Sequence, residues 1–153
     1  MTAVYARILA IDYGQRRIGL AISDPLGHFA VGLPTLERNA RTDLWTPLAA
    51  LRDQYGVSTI VLGLPRNMNG SEGPMAQKVR AFGEALQTHL GCEVVFFDER
   101  LTSTLAQQTL RAQGIAPSRQ KGLVDQAAAA RILQDYLDAR ARQTSPESPD
   151  AVS

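Results

Sequence analysis

The strongest constraint in the chain is a pair of apolar runs separated by a tight polar turn: Ile8-Leu9-Ala10-Ile11-Asp12-Tyr13-Gly14, then Ile18-Gly19-Leu20-Ala21-Ile22-Ser23-Asp24. Runs this short, apolar and punctuated by glycine read as two buried strands in succession. The first ends on a carboxylate. A carboxylate where a buried strand leaves its sheet is costly to desolvate unless a cation, an arginine or a ring of backbone amides meets it. Two later positions could join Asp12 in holding a metal: Asp98-Glu99, which follow Val94-Val95-Phe96-Phe97, and Asp125, which opens an alanine-rich helical stretch.

The rest of the chain supplies neighbours for those strands. Residues 4–12, 17–24 and 28–36 read as an antiparallel meander with turns at Tyr13-Gly14-Gln15-Arg16 and Pro25-Leu26-Gly27. Residues 42–55 carry Leu44, Trp45, Leu48 and Leu51 at helical spacing, with Thr42 or Asp43 as the cap. Residues 59–64 are almost wholly apolar, as in a strand covered on both faces, and a helix over 74–90 leads to a parallel strand over 93–97. Helices over 102–113 and 121–142 follow, separated by residues 114–118. The pattern predicts an α/β fold with a mixed five-stranded sheet, three strands antiparallel and two parallel, flanked by helices. One domain is expected over 1–142, and a polar, disordered tail over 143–153.

Composition excludes several classes. A chain of 153 residues suits one domain that buries roughly 70% of its unfolded surface. The single Cys92 cannot form an internal disulfide, and no Cys/His spacing suggests zinc, so a reducing compartment and a hard, oxygen-ligated cation are expected. Cys92 itself reads as an inert residue at a strand edge. No apolar stretch approaches the ~20 residues of a membrane span, and the first residues lack a signal-peptide pattern, so a cytoplasmic location is expected. Net charge is only +1, but Arg16, Arg17, Arg66, Arg100, Arg119 and Lys121 lie within a few residues of the acidic positions or of glycine-rich loops. A basic rim about an acidic centre suits a polyanion such as nucleic acid. The competing reading makes each an ordinary solvated charge. His28 and His89 join no cluster, and the alanines from Ala127 to Ala130 suit close helix packing.

Four ordered segments carry a resemblance: Ile11-Asp12-Tyr13-Gly14 with Arg17-Ile18-Gly19; Gly63-Leu64-Pro65 with Asn69-Gly70-Ser71; Asp98-Glu99-Arg100-Leu101-Thr102-Ser103; and Asp125-Gln126-Ala127-Ala128 with Ile132-Leu133. Together they resemble the signature segments of the YqgF family from about Leu9 to Leu137. The resemblance implies a ribonuclease H-like fold related to Holliday-junction resolvases, and a nuclease that matures the precursor of 16S ribosomal RNA. Resolution of branched DNA is the alternative substrate. A non-catalytic RNA-binding assembly factor is the alternative without turnover. The Asp12-Tyr13-Gly14 turn also resembles the first phosphate motif of actin-like ATPases and sugar kinases, which require two such domains.

Phosphodiester hydrolysis needs an activated water, charge compensation and help for the leaving oxygen, which two Mg²⁺ or Mn²⁺ ions about 3.5–4 Å apart supply. On this reading Asp12 bridges the metals, and Asp125 joins from the first turn of the last helix, where the dipole favours its charge. Alternatively, Asp125 only stabilises that helix. In related resolvases the second carboxylate ends the strand that corresponds to residues 59–64, where this chain has Gly63, Leu64 and Pro65. Glu99 is the preferred replacement because its longer side chain better spans the added strand spacing of about 4.8 Å; alternation puts Asp98 on the opposite face, as turn residue or alternative ligand. Loop 65–73 is expected to clamp phosphate through Arg66, Asn67 and Asn69, or else to be a plain turn. Arg100 would reach a phosphate or pair with Asp98. A resolvase would also require a homodimer with two sites.

Overall fold

The computed structural model describes residues 7–39, 41–98 and 117–144, with side chains in the last segment described over 128–141. The elements are β1 (Arg7–Tyr13), β2 (Arg17–Ser23), β3 (Ala30–Glu37), α1 (Trp45–Tyr55), β4 (Val57–Leu64), α2 (Pro74–Leu90), β5 (Glu93–Asp98) and α3 (Pro117–Thr144). The five strands form one sheet in the order β3-β2-β1-β4-β5. β2 runs antiparallel to both β1 and β3, whereas β1, β4 and β5 are mutually parallel. The expected mixed sheet is therefore present, with β1 joining its antiparallel and parallel halves.

Strand alternation divides the core into two layers. Leu9, Ile11, Ile18, Leu20, Ile22, Ile60, Leu62 and Leu64 pack with α1 and α2 on one face. Ile8, Ala10, Ala21 and Val61 meet Ala129, Ile132, Leu133 and Leu137 of α3 on the other. β4 contributes to both layers, which explains why its sequence shows no polar alternation.

Local hydrogen bonding explains where the boundaries depart from expectation. β3 begins at Ala30 because Asp24 gathers the backbone amides of Leu26, His28 and Phe29 at 3.2, 2.7 and 2.7 Å, holding those residues in a turn. Asp43 Oδ1 accepts the amides of Trp45 and Thr46 at 2.9 and 3.3 Å, so α1 starts after it. α3 starts at Pro117 rather than residue 121, since proline suits the first helical position, where its missing amide is no loss. It extends to Thr144, two residues past the expected boundary. The helix expected over 102–113 and the tail from residue 145 lie outside the described residues.

Two side-chain contacts hold strand ends in place. Ser23, buried at 1% exposure, accepts the Ile8 amide through Oγ at 2.8 Å where the β1–β4 register shifts. Gln134 of α3 accepts the Ala30 amide at 3.0 Å and donates to the His28 carbonyl at 2.9 Å, tying the helix to the start of the edge strand β3. Among the described residues no helix is long and apolar enough to cross a membrane.

Gly83 sets the distance between α2 and the sheet. A Cβ there would lie 2.7 Å from Phe96 Cζ and 3.3 Å from Leu62 Cδ2. The Phe96 ring is also covered by the Arg80 guanidinium at 4.9 Å, which limits its retreat. Gly83→Ala gains roughly 1 kcal/mol of helix propensity but faces overpacking of about 1–3 kcal/mol. The expected outcome is a lower denaturation midpoint than wild type; a midpoint at or above wild type would show that the ring yields without cost.

Candidate functional site

Because β1, β4 and β5 are parallel, their carboxyl ends open on one edge of the sheet, the usual place for ligands in α/β folds. Asp12 is the next-to-last residue of β1 there, loop 65–73 follows β4, Asp98 ends β5, and the β1–β2 turn lies alongside. Asp12 is half-buried and, by alternation with Ile8 and Ala10, lies on the α3 face. Its antiparallel partner is Gly19. On the other side Ile11 pairs with Leu62, so the next residue, Gly63, is the neighbour along β4. Neither neighbouring strand places a side chain beside this carboxylate. It makes no hydrogen bond or ion pair among the described residues.

The turn beyond Asp12 is closed by two interactions. The Gly14 amide donates to the Arg17 carbonyl at 3.0 Å, and a Cβ at position 14 would lie 2.4 Å from that oxygen, so only glycine fits. Arg38 then binds the turn from the end of β3. Its Nη1 donates to the carbonyls of Gly14 and Gln15 at 3.1 and 2.9 Å, and its guanidinium lies 4.4 Å above the Tyr13 ring. The Tyr13 ring stacks on Phe82 of α2 at 4.3 Å, anchoring the strand end from the opposite face. Sequence reasoning missed Arg38. No motif marks it; its role follows from the β2–β3 register, which brings residue 38 beside residue 16 through an amide-to-carbonyl bond of 2.8 Å.

Among the expected nucleic-acid contacts, Arg16 is exposed on the turn. Arg17 is half-buried, with Nε 4.0 Å from Glu37 Oε1, and its Nη1 is shielded from solvent without a hydrogen-bond partner among the described residues. In loop 65–73 the asparagines turn to Ser71: Asn67 Nδ2 donates to Ser71 Oγ at 2.9 Å, and Ser71 Oγ donates to Asn69 Oδ1 at 2.6 Å. Both side chains thus brace the loop. Met68 stands at its tip with 96% exposure.

Arg66 flanks the loop and pairs with Glu72 at 3.6 Å. Glu72 is itself held by Arg80, which donates through Nε and Nη2 at 2.6 Å each. That hydrogen bonding, helped by the charges of Arg80 and Arg66 against a smaller desolvation penalty, holds the Glu72 carboxyl below its ordinary value.

The expected carboxylates are only partly brought into view. By alternation Asp98 shares the α2 face with Phe96, whereas Asp12 shares the α3 face with Phe97. Glu99 and Arg100 lie outside the described residues. Asp125 lies in α3, one turn before Ala129, which is fully buried against the sheet. The first-turn placement expected for Asp125 is corrected: with α3 starting at Pro117 it is the ninth helical residue, too far from the terminus for a strong dipole contribution. The side chains of Asp125, Arg119 and Lys121 are outside the described set. Among the described residues no three His, Cys, Asp or Glu side chains gather into a metal-binding group.

The topology matches solved resolvases. The RuvC protein of T. thermophilus in complex with a Holliday junction substrate superposes with a TM-score of 0.53 at 16% identity, covering 89% of this chain and 96% of that one. The fowlpox virus resolvase bound to Holliday junction DNA gives 0.56 at 12% identity, covering 88% and 98%. The chain thus shares the fold of these resolvases, a ribonuclease H-like mixed sheet flanked by helices. The family model described as RuvX, Holliday junction resolvase, matches residues 6–139, and the chain belongs to that family of nucleic-acid-binding nucleases. A protein of Moorella thermoacetica named "Putative pre-16S rRNA nuclease" is 49% identical over 135 residues, which cover 86% of this chain and 94% of that protein. One of the same name from Chloroflexus aurantiacus is 47% identical over 133 residues, covering 87% of each.

The Glu72 pairing yields a pH prediction. A carboxyl with a depressed folded-state value contributes stability above its ordinary value of 4.5 and loses it as pH falls through the folded-state value. Wild type should therefore melt above Glu72→Gln near neutrality, and the gap should close below pH 4.5. Thermal melts of both proteins across that range check this; a gap that persists or widens in acid contradicts it.

Proposed function

We propose that this protein is a metal-dependent phosphodiester hydrolase that trims the precursor of 16S ribosomal RNA in the cytoplasm. The observation that carries the reading is Asp12. It is a half-buried carboxylate at the end of the central strand, flanked by Gly19 and Gly63 and without a hydrogen bond or ion pair among the described residues. Such a charge suits a bound cation. The names of the relatives at 47–49% identity favour ribosomal RNA over branched DNA.

Asp12, Glu99 and Asp125 offer only carboxylate oxygens, a donor set that suits Mg²⁺ or Mn²⁺. When bound, a pair of such ions would supply an activated water and neutralise charge at the phosphoryl oxygens. The chain's own residues position the substrate. Arg16 on the β1–β2 turn and Arg66 on the loop after β4 stand at the same sheet edge as Asp12, and the braced asparagines keep that loop in shape. Strand parity favours Glu99 over Asp98 as the third ligand. Residue 98 follows Phe96 onto the α2 face, and an extended chain would bring residue 99 to the face of Asp12. Residues 1–142 act as one nuclease domain, with a homodimer required only if four-way junctions are the substrate.

Purified protein on precursor ribosomal RNA and on a four-way DNA junction, with Mg²⁺, Mn²⁺ or chelator, tests the reading. Cleavage of the RNA that requires metal is expected. Cleavage confined to the junction would reassign the substrate, and tight RNA binding without metal-dependent cleavage would favour an assembly factor. Asp12→Asn should lower cleavage at least about 10³-fold, on the order of 4 kcal/mol in transition-state stabilisation, while leaving the fold intact. Wild-type turnover by that variant would remove Asp12 from the mechanism.

A paired comparison tests the third ligand. Glu99→Gln is expected to depress turnover severely and raise the metal concentration required, whereas Asp98→Asn should chiefly lower stability. The reverse pattern in metal titrations and melts would assign the role to Asp98.

A further inference from the structure

We infer that Arg17 is a catalytic residue whose guanidinium donates to the non-bridging oxygens of the scissile phosphate. The inference rests on the nucleolytic reading above and goes beyond an anchoring contact with nucleic acid.

Its placement follows from the sheet. Ile18, Leu20 and Ile22 of β2 pack toward α1 and α2, while Ala21 packs toward α3. Alternation therefore sends Arg17 to the α3 face, the same face as Asp12. Asp12 pairs with Gly19, which makes Arg17 its diagonal neighbour across the strand pair. Diagonal side chains start about 7–8 Å apart, a span within reach of arginine. Gly19 puts no side chain between them.

The guanidinium is also under-used. Glu37, its one charged partner among the described residues, is 81% exposed and sits at 4.0 Å from Nε, the long limit of an ion pair. Nη1 is shielded from solvent and has no hydrogen-bond partner among the described residues. A buried donor left in that state costs about 1–3 kcal/mol, so native folds keep one where something else supplies the acceptor. The side chain as a whole is 31% exposed, and the acceptor that a nucleic-acid substrate brings to this face is a phosphate oxygen, which suits the planar fork of arginine. The backbone beneath it is held as well. The Arg17 carbonyl takes the Gly14 amide, and Arg38 grips the same turn through the carbonyls of Gly14 and Gln15. Asp12 and Arg17 are thus set at a fixed spacing by one short turn.

In the step itself a water oxygen bonds to phosphorus, one P–O ester bond breaks, and the departing oxygen receives the proton that the water loses. Arg17 stays protonated throughout. Its contribution is to neutralise charge that grows on the non-bridging oxygens.

The test compares wild type, Asp12→Asn, Arg17→Met and Arg17→Lys on precursor ribosomal RNA and a four-way junction. It measures single-turnover cleavage at saturating protein with Mn²⁺, binding in chelator, and melting temperature. Arg17→Met should melt at or above wild type, because an unsatisfied buried donor is gone, and should bind within about threefold of it. Its cleavage rate should fall about 10²–10³-fold, as when one oxyanion donor is lost. Arg17→Lys should recover little of that rate, since an ammonium cannot replace the fork. Wild-type single-turnover rates in Arg17→Met, or a defect that disappears at saturating protein, would reduce Arg17 to an anchor and overturn the proposal. So would a fall in melting temperature that accounts for the lost rate. If Asp12→Asn is dead while Arg17→Met is fully active, the Arg17 inference fails alone; if wild type itself does not cleave, the nucleolytic reading fails and takes this one with it.

Discussion

A single negative charge near the carboxyl end of the central strand organises this molecule. β1 lies between the antiparallel and parallel halves of the sheet, with Ile8, Leu9, Ala10 and Ile11 all inaccessible to solvent, so the chain must emerge at Asp12 in one place and one direction. The apolar core fixes where the carboxylate stands, and the two flanking glycines keep its surroundings open. The turn that follows is secured from three sides: Gly14 closes it, Arg38 binds its carbonyls, and the Tyr13–Phe82 stack pins the strand end to α2. Preorganisation of this kind matters for catalysis, because a group misplaced by 1 Å can cost a large part of the rate.

The basic rim is unequal in character. Arg38 and Arg80 are committed to the protein, one to backbone carbonyls and the other to Glu72. Arg66 is held loosely by the same Glu72, and Arg16 reaches solvent from the turn. Committed arginines stabilise the scaffold, while loosely paired ones can exchange a carboxylate for a phosphate at little cost. Loop 65–73 follows the same logic, since its asparagines are used inward to make a rigid projection.

Much of the fold was legible in the residues. α2 runs over 74–90 as expected, because Pro74 and Gly91 punctuate both ends, and β4 announced burial on both faces by its lack of alternation. Phe96 and Phe97 lie in different core layers, and strand parity groups Asp98 with Phe96. What escaped depended on register or on competition among local hydrogen bonds. Arg38 acquires its role only when β3 is aligned against β2, and Asn67 and Asn69 carry the same donors whether they face a phosphate or Ser71. The start of α3 was misjudged because Pro117 reads equally well as a loop residue or as a first helical residue. That difference of one turn removes the dipole argument for Asp125.

The Gln134 bridge bears on how the chain reaches this structure. The amide of Ala30 and the carbonyl of His28 are satisfied by a side chain 104 and 106 residues further along. During synthesis β1, β2 and β3 emerge early, yet the start of the edge strand waits for almost the whole chain before its polar groups have their native partner. Until then the sheet presents an open, apolar margin with Phe29 and Val31 exposed beside it. Contacts between distant parts of a sequence form slowly, and unpaired strand edges invite association during that delay. Pro34, which lacks an amide to donate, lies within that same strand and limits what can pair with it while α3 is still being made.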